Sequence, residues 1–214
     1  MEKVIYTAIF GPYDELKEPL YVTPGWRYIC YTDQPFKSKV WEIRPIKDFT
    51  NNGPQHSARW FKLMFHECIL APLSIWVDGS FTINTDLNKF VETRHKGQFS
   101  CAKHPIRNDV FDEGRACINN KRGPRDPILK QITSYIGRVP RKNGLITSGI
   151  LIRNRTPEVI ELCEKWWEEL SNKSNRDQIS FALVSMGYEH LIHTYDWDYR
   201  TAKDFIFKTH IHRR

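Results

Sequence analysis

The sequence predicts an α/β fold: a mixed, mostly parallel central sheet flanked by helices, forming one domain over residues 1–214. Three observations predict it. Strand-like and helix-like patterns alternate from one end of the chain to the other. The runs VIYTAIF (4–10) and LSIWVD (73–78) are near-continuously apolar, as strands covered on both faces are. No repeat, linker or low-complexity segment interrupts the alternation.

The elements follow in order. Residues 4–10 read as a buried strand ending at Gly11-Pro12. Residues 26–32 alternate and end at Asp33; residues 41–46 form a shorter strand that Pro45 places at an edge. Residues 55–70 have helical spacing, with Trp60, Leu63, Met64 and Cys68 on one face, and Pro72 stops the helix. Residues 73–78 suit the middle of a sheet. Asn84-Thr85-Asp86 offers an N-cap for a helix to about Thr93. A strand resumes at 98–103. The polar stretch 105–143, helical near 110–120 and 126–137, is the least core-like and is expected to lie over a site. Residues 144–153 predict a strand pair or a bent strand. Pro157 in a first turn starts a helix to about Leu170. Residues 176–186 form another helix, 190–195 a late strand, and the rest a tail ending THIHRR.

The 214 residues are 40% hydrophobic and 27% charged, enough to bury a core of roughly 70% of the unfolded surface. This excludes a disordered tail, a collagen-like repeat and a disulfide miniprotein. No run approaches the ~18 apolar residues of a membrane span. Met1–Phe10 enters a strand pattern without a leader pattern. Five cysteines without a CxxC suggest a reducing compartment, hence a cytoplasmic protein without disulfides or a zinc ribbon. The net charge of +7 favours anionic partners, or is a solvated basic surface. Cations are dense at Lys103–Arg107, Lys121–Arg125, Arg138–Lys142 and His210–Arg214, with no contiguous basic arm.

In parallel sheets, ligands bind beyond the carboxyl ends of the strands, which draws attention to Gly11, Asp33, Asp78, Ser80 and His104. Asp78-Gly79-Ser80 is the sharpest motif. An apolar strand delivers an acid into a turn, Gly79 allows close backbone approach, and Ser80 adds a second oxygen. Hard divalent cations take such ligands and share them with phosphates. An Asp-Gly hairpin turn has the same spacing, but Phe81 and Ile83 continue apolar toward a helix cap. The first turn, TAIFGPYD, is neither GxGxxG nor a P-loop. Arg59 and Lys62, i and i+3 on a helix, either hold a diphosphate or form a solvated face. His104 and Arg107 follow a strand at the ligand edge. Asp177 and Gln178 open a helix, where an acid suits the helix dipole, sugar hydroxyls or base catalysis. His210 and His212 offer imidazoles at the chain end. Neither HExxH nor GxSxG is present.

The ordered series TAIFGPYD, YTD, RWFK, WVDGS, KHPIR, LITSGILIRN, a Trp-Trp helix and RDQISF resembles a small glycosyltransferase-like family of plant mucilage and pollen-wall proteins and virus-encoded capsid-glycan transferases. The resemblance spans roughly residues 4–212. It implies a GT-A-type, Rossmann-like fold, a nucleotide-sugar donor (most often a UDP-sugar) and a divalent ion, Mn²⁺ or Mg²⁺. It implies that Asp78, Gly79 and Ser80 match the DxD-type metal motif, with Ser80 replacing the second acid and His210 or His212 as a further ligand. By the same resemblance Thr7, Ala8, Phe10 and Tyr13 match a nucleoside-contacting first loop, and Asp33 an acid near base or ribose. Arg59 and Lys62 match the helix facing the diphosphate. Asp177 and Gln178 match a motif near sugar and acceptor, with Asp177 as base if the reaction inverts, and Asp177 or Gln178 steadying the oxocarbenium-like centre if it retains configuration. His104 and Arg107 fall on the acceptor side. The implied function is transfer of a hexosyl or deoxyhexosyl group to a hydroxyl of a glycan or glycoprotein, in the host cytoplasm for a viral member. Two alternatives stand beside it: transfer to modified DNA bases, and a non-catalytic sugar- or nucleotide-binding module. The domain is also compatible with being the N-terminal part of a longer protein.

Overall fold

In the computed structural model, residues 2–47 and 52–208 are described. The strands are β1 (Lys3–Ile9), β2 (Trp26–Thr32), β3 (Glu42–Pro45), β4 (Leu73–Val77), β5 (Phe81–Ile83), β6 (Phe99–Lys103), β7 (Ile146–Asn154), β8 (Ile192–Tyr195) and β9 (Phe205–Phe207). The helices are α1 (Pro54–Leu63), α2 (Leu87–Arg94), α3 (Val110–Asn119), α4 (Arg125–Ser134), α5 (Pro157–Ser171) and α6 (Asp177–Val184). Seven strands form one sheet in the order β3-β2-β1-β4-β7-β6-β8, and β5 pairs with β9 in a second, small sheet. β1, β2, β3 and β4 run parallel, as β6 and β8 do with each other, while β7 runs antiparallel to both its neighbours.

Strand periodicity explains the layers. Along β1, Val4, Tyr6 and Ala8 face one core cluster, which α1, α5 and α6 cover with Phe61, Trp166 and Phe181. Ile5 faces the other, where Phe90 of α2 and Phe205 of β9 pack. A third cluster sits between α3, α4 and α6. Local signals set the helix ends. Pro54 opens α1 behind Gly53, and Asp86 caps α2 through the Asn88 and Lys89 amides. Asp109 caps α3 through the Phe111 and Asp112 amides. α3 ends in a Schellman turn: Arg122 N donates to Cys117 O at 2.9 Å and Lys121 N to Ile118 O at 3.1 Å. The left-handed residue of that turn is Lys121 (φ 53°), where glycine would avoid a cost of about 1 kcal/mol. No helix among the described residues is long and apolar enough to cross a membrane.

Several expectations need correction. The helix foreseen over 55–70 ends at Leu63. Met64 leaves helical geometry (φ −83°, ψ 40°), and a short 3-10 turn at Phe65–Glu67 buries Phe65 instead. β2 is buried at every position but Arg27, because Ile29 and Tyr31 pack in the cluster with Phe61 of α1 while Tyr28 and Cys30 pack in the cluster with Trp41, so it does not alternate. Residues 146–154 form one strand, as the bent-strand alternative has it: where β6 steps from Cys101 to Ala102, its partner on β7 moves from Leu151 to Thr147, so the extra residues 148–150 bulge on β7. The tail contains β9, whose signal Phe-Ile-Phe is too short to stand out until β5 pairs with it.

Candidate active site

The carboxyl edge of the parallel strands gathers the site. Asp78 leaves β4 with its amide bonded to Gly149 O of β7 at 2.8 Å. Gly149 has to be small: a Cβ there would lie 2.7 Å from the Phe81 ring. Two donors converge on Asp78 Oδ1, the Trp76 indole at 2.6 Å and Lys62 Nζ at 3.2 Å. Lys62 also donates to Asp177 Oδ2 at 2.7 Å. Asp177 accepts from Ser148 Oγ at 2.8 Å and from the Gln178 amide at 3.0 Å. One ammonium thus bridges two carboxylates drawn from β4 and α6. Lys62 is only 2% exposed, so the solvated-face reading of that helix fails.

The two acids are driven apart electrostatically. Burial pushes the Asp78 carboxyl up, and Asp177 adds to this, while Lys62 opposes it. Burial acts the same way on Asp177, but Lys62, Arg59 and Arg176 together outweigh it and hold its carboxyl far below the usual carboxylate range. Arg59, half-buried on α1, makes no ion pair among the described residues, and its own pKa is lowered by burial. Its charge acts on both acids. An unneutralised guanidinium beside the pair is a ready partner for phosphate oxygens.

Beneath the pair lies Arg153, which is fully buried. It donates to Lys62 O at 2.6 Å and to the Tyr6 hydroxyl, and it stacks over the Phe65 ring at 4.3 Å. It thereby holds the last turn of α1, from which Lys62 projects. Sequence reading missed Arg153 because a strand arginine carries no motif. Ser148 also carries no motif, since no GxSxG surrounds it.

A cleft of about 410 Å³ reaches Asn175, two residues before Asp177, and is lined by Phe10, Gly11, Pro12, Tyr13 and Pro54 among others. Its floor depends on Gly11, at φ 62°, where a Cβ would come within 2.9 Å of Pro54. Asp33 Oδ1 accepts from the Gly11 amide at 2.9 Å, so this acid holds the turn while its side chain remains exposed at the strand end. Phe10 and Tyr13 of the first loop line the cleft. Thr7 and Ala8 do not: both are buried inside β1, because the strand continues to Ile9 before the chain turns.

The Asp78-Gly79-Ser80 turn is tightly packed. A Cβ on Gly79 would meet Ile9 at 3.1 Å and Asp14 Oδ2 at 3.2 Å. Lys17 Nζ donates to Gly79 O at 2.5 Å, and burial lowers its pKa. Ser80 is buried, and its carbonyl accepts from Lys208 N at 2.9 Å. β9 therefore carries the chain to the turn just before the tail. His210 and His212 lie outside the described residues. Among the described residues no three His, Cys, Asp or Glu side chains gather as a metal site.

His104 and Arg107 form a separate group at the end of β6. His104 Nδ1 accepts from the Ile106 and Arg107 amides at 3.2 and 3.0 Å, which assigns the ring proton to Nε2 when neutral. Arg107 Nε donates at 2.5 Å to Glu113, which also accepts from Cys117. Burial and then Arg107 push the His104 pKa down. Gln178 does not point to the carboxylate pair: its side-chain amide donates to Ile146 O at 2.7 Å and fixes α6 against β7.

Known proteins share this architecture. The bifunctional glycosyltransferase WbbM superposes with a TM-score of 0.51 at 9% identity, over 91% of this chain and 38% of that one. Mouse xyloside xylosyltransferase 1 gives 0.47 at 14% identity, over 91% and 85%. The fold is that of the GT-A glycosyltransferases. In sequence, the chain is 22% identical to the probable hexosyltransferase MUCI70 of Arabidopsis thaliana, over 85% of this chain. It spans about a third, 36%, of that relative's length. Residues 28–210 match a single family description, and the chain belongs to the TOD1/MUCI70 glycosyltransferase-like domain family.

Proposed function

We propose that this domain transfers a hexosyl or deoxyhexosyl group from a nucleotide-sugar, a UDP-sugar by preference, to a hydroxyl of a glycan or glycoprotein. The observation that carries the reading is the Lys62-bridged pair of Asp78 and Asp177, with the cleft reaching Asn175 two residues before Asp177. The cleft accepts the nucleoside between Phe10, Tyr13 and Pro54, with Asp33 near its rim. Arg59 and Lys62 face the diphosphate, where leaving-group charge develops, and preorganised cations stabilise such charge most when water is excluded.

The oxygen donors of Asp78 and Ser80 fit a divalent ion that completes its shell with substrate phosphates and water, as Mg²⁺ and Mn²⁺ do. These two residues would hold it, with His210 or His212 as further ligands, and the ion would supply charge neutralisation at the diphosphate. Asp177 takes a different role from the base the sequence suggested. A carboxylate held so far below its usual range is a weak base. It serves instead as fixed negative charge beside the reacting sugar and as the anchor of Lys62. The acceptor approaches from the side of Gln178, His104 and Arg107.

Calorimetric titration with UDP, GDP and CMP, each with and without Mn²⁺, tests the reading. UDP binding strengthened at least tenfold by Mn²⁺ and lost in Asp78→Ala is expected. Ser80→Asp should tighten the Mn²⁺ dependence by restoring a second acid. If no nucleotide binds under any condition, the transfer reading is wrong.

A further inference from the structure

The charge of this chain is concentrated in one layer. Residues 103–142 carry ten Lys and Arg against four Asp and Glu, a net of +6 in a chain of +7. Two of those four acids are buried and already occupied. Asp109 accepts from the Lys142 amide at 2.9 Å and pairs with Arg141, and Glu113 pairs with Arg107. The cations are not balanced in return. Lys121, Arg122, Arg125, Lys130, Arg138 and Lys142 are exposed and make no ion pair among the described residues. Like charges left unpaired on one layer repel, and an anionic ligand relieves that repulsion.

The layer adjoins the candidate active site. Arg176, the residue before Asp177, donates through Nη1 to Arg122 O at 3.1 Å. The turn bearing Lys121, Arg122 and Arg125 thus sits against the start of α6. At the other end of α3, about 15 Å away for its ten residues, Asp109 ties Arg141 and Lys142 to the helix start. Two cationic groups are held at a fixed separation, one of them beside the pair. Lys121 and Lys142 are also two of the three non-glycine residues with left-handed φ among the described residues. Glycine fits such a backbone best, and both positions hold a cation instead.

The surface between the cations favours a glycan over a nucleic acid. The rings of this segment are turned inward: Phe111 lies beneath Arg141 and Tyr135 is fully buried, so no exposed aromatic platform offers itself to bases. Ile106, Leu129 and Ile136 are exposed instead and suit the C–H faces of sugar rings. We propose that the α3–α4 layer binds an anionic acceptor glycan, one bearing carboxylate or sulfate groups, and leads its hydroxyl end toward Asp177. The acceptor role rests on the transfer reading above; the binding does not.

The test compares hyaluronan oligosaccharides, sulfated dextran and neutral dextran as ligands for the whole chain at two salt concentrations. Three proteins are measured: the unaltered chain; Lys121→Glu, Arg122→Glu and Arg125→Glu together; and a control with the same charge change elsewhere, Lys37→Glu, Lys39→Glu and Lys89→Glu, all exposed. An anionic glycan should bind at least tenfold tighter than neutral dextran. That preference should fall at least tenfold in the α3–α4 variant, and at most twofold in the control. UDP titration of the same samples reads the donor site separately and should be unchanged in both variants. Equal binding of neutral and anionic glycans overturns the proposal, and so does an equal loss in the two variants, which would make net charge the cause. Tighter binding of duplex DNA or of phosphatidylserine vesicles than of either anionic glycan also overturns it. Loss of UDP binding in the unaltered chain defeats the transfer reading instead.

Discussion

The strand-end side of the site and the side formed by α3 and α6, the helix side, are built on different physical principles. On the strand-end side, neighbouring strand ends do the work. β1, β2 and β4 lie close together in the sheet, and each ends in a turn that is shaped by backbone: Gly11 at φ 62°, held by Asp33, and Gly79, packed on Ile9. On the helix side, buried acids are each held by a cation from another element: Lys62 meets Asp177, Arg107 meets Glu113, and Arg141 meets Asp109. Backbone turns tolerate side-chain changes that preserve φ. Buried charge pairs do not, because removing one partner strands the other.

The largest expected effect follows from that difference. Lys62→Met leaves Asp177 buried with its nearest cation gone. It should cost about 3–5 kcal/mol in urea unfolding, the usual penalty for breaking a buried pair, and lower donor turnover at least a hundredfold. Asp33→Ala, on the strand-end side, removes one amide acceptor at an exposed position and should cost only about 1 kcal/mol. Equal losses in the two variants would erase the contrast.

Arg153→Met should fall between them. It leaves Lys62 O and the Tyr6 hydroxyl without their donor in a buried place, at about 1–3 kcal/mol. Because Arg153 acts through the last turn of α1, UDP affinity should also weaken several-fold in calorimetry. A loss of stability with unchanged UDP affinity would make Arg153 structural only.

A pH series sharpens the comparison with a smaller effect. The folded Asp177 pKa is depressed, so its contribution to stability is full above the unfolded value of about 3.9 and is lost as pH falls below it. Asp78 is raised and has the opposite sign: protonation as pH falls through its folded pKa relieves a cost. Asp177→Asn should therefore flatten the decline of stability below about pH 4, as read by thermal unfolding. A decline as steep as in the unaltered chain would assign acid sensitivity to other carboxylates, such as Asp109.

The same division decides what could be read from the chain. The strand-end side was legible because its signals are local. LSIWV followed by DGS gives strand, acid and turn within eight residues, and the order of strands placed Gly11, Asp33 and Asp78 on one edge. Thr7 and Ala8 fall short of the cleft for a local reason too, since β1 runs on to Ile9 before the chain turns. The helix side was legible only in part. Asp177 and Lys62 were both singled out, but nothing in sequence says that residues 115 apart share one ion pair. β9, three residues long, becomes a strand only because β5 offers it a partner. Arg153 and Ser148 have significance only through what lies opposite them.

The smallest expected effect concerns the five thiols. All are free, and only Cys68 is even partly exposed. Burial pushes Cys30 and Cys68 up to about 12 and Cys117 up to about 11, and it raises Cys101 and Cys163 as well. A thiol reacts as its thiolate, so at pH 8 each is almost wholly in the unreactive form. Ellman's reagent should label fewer than one thiol per folded chain within an hour, and all five in 6 M guanidinium. Cys117 sets the sensitive point, because its Sγ donates to Glu113, whose other oxygen holds Arg107. If Cys117 alone reacts in the folded chain, the α3 layer opens locally, and the charge pairs of the helix side are then less secure than the backbone turns at the strand ends.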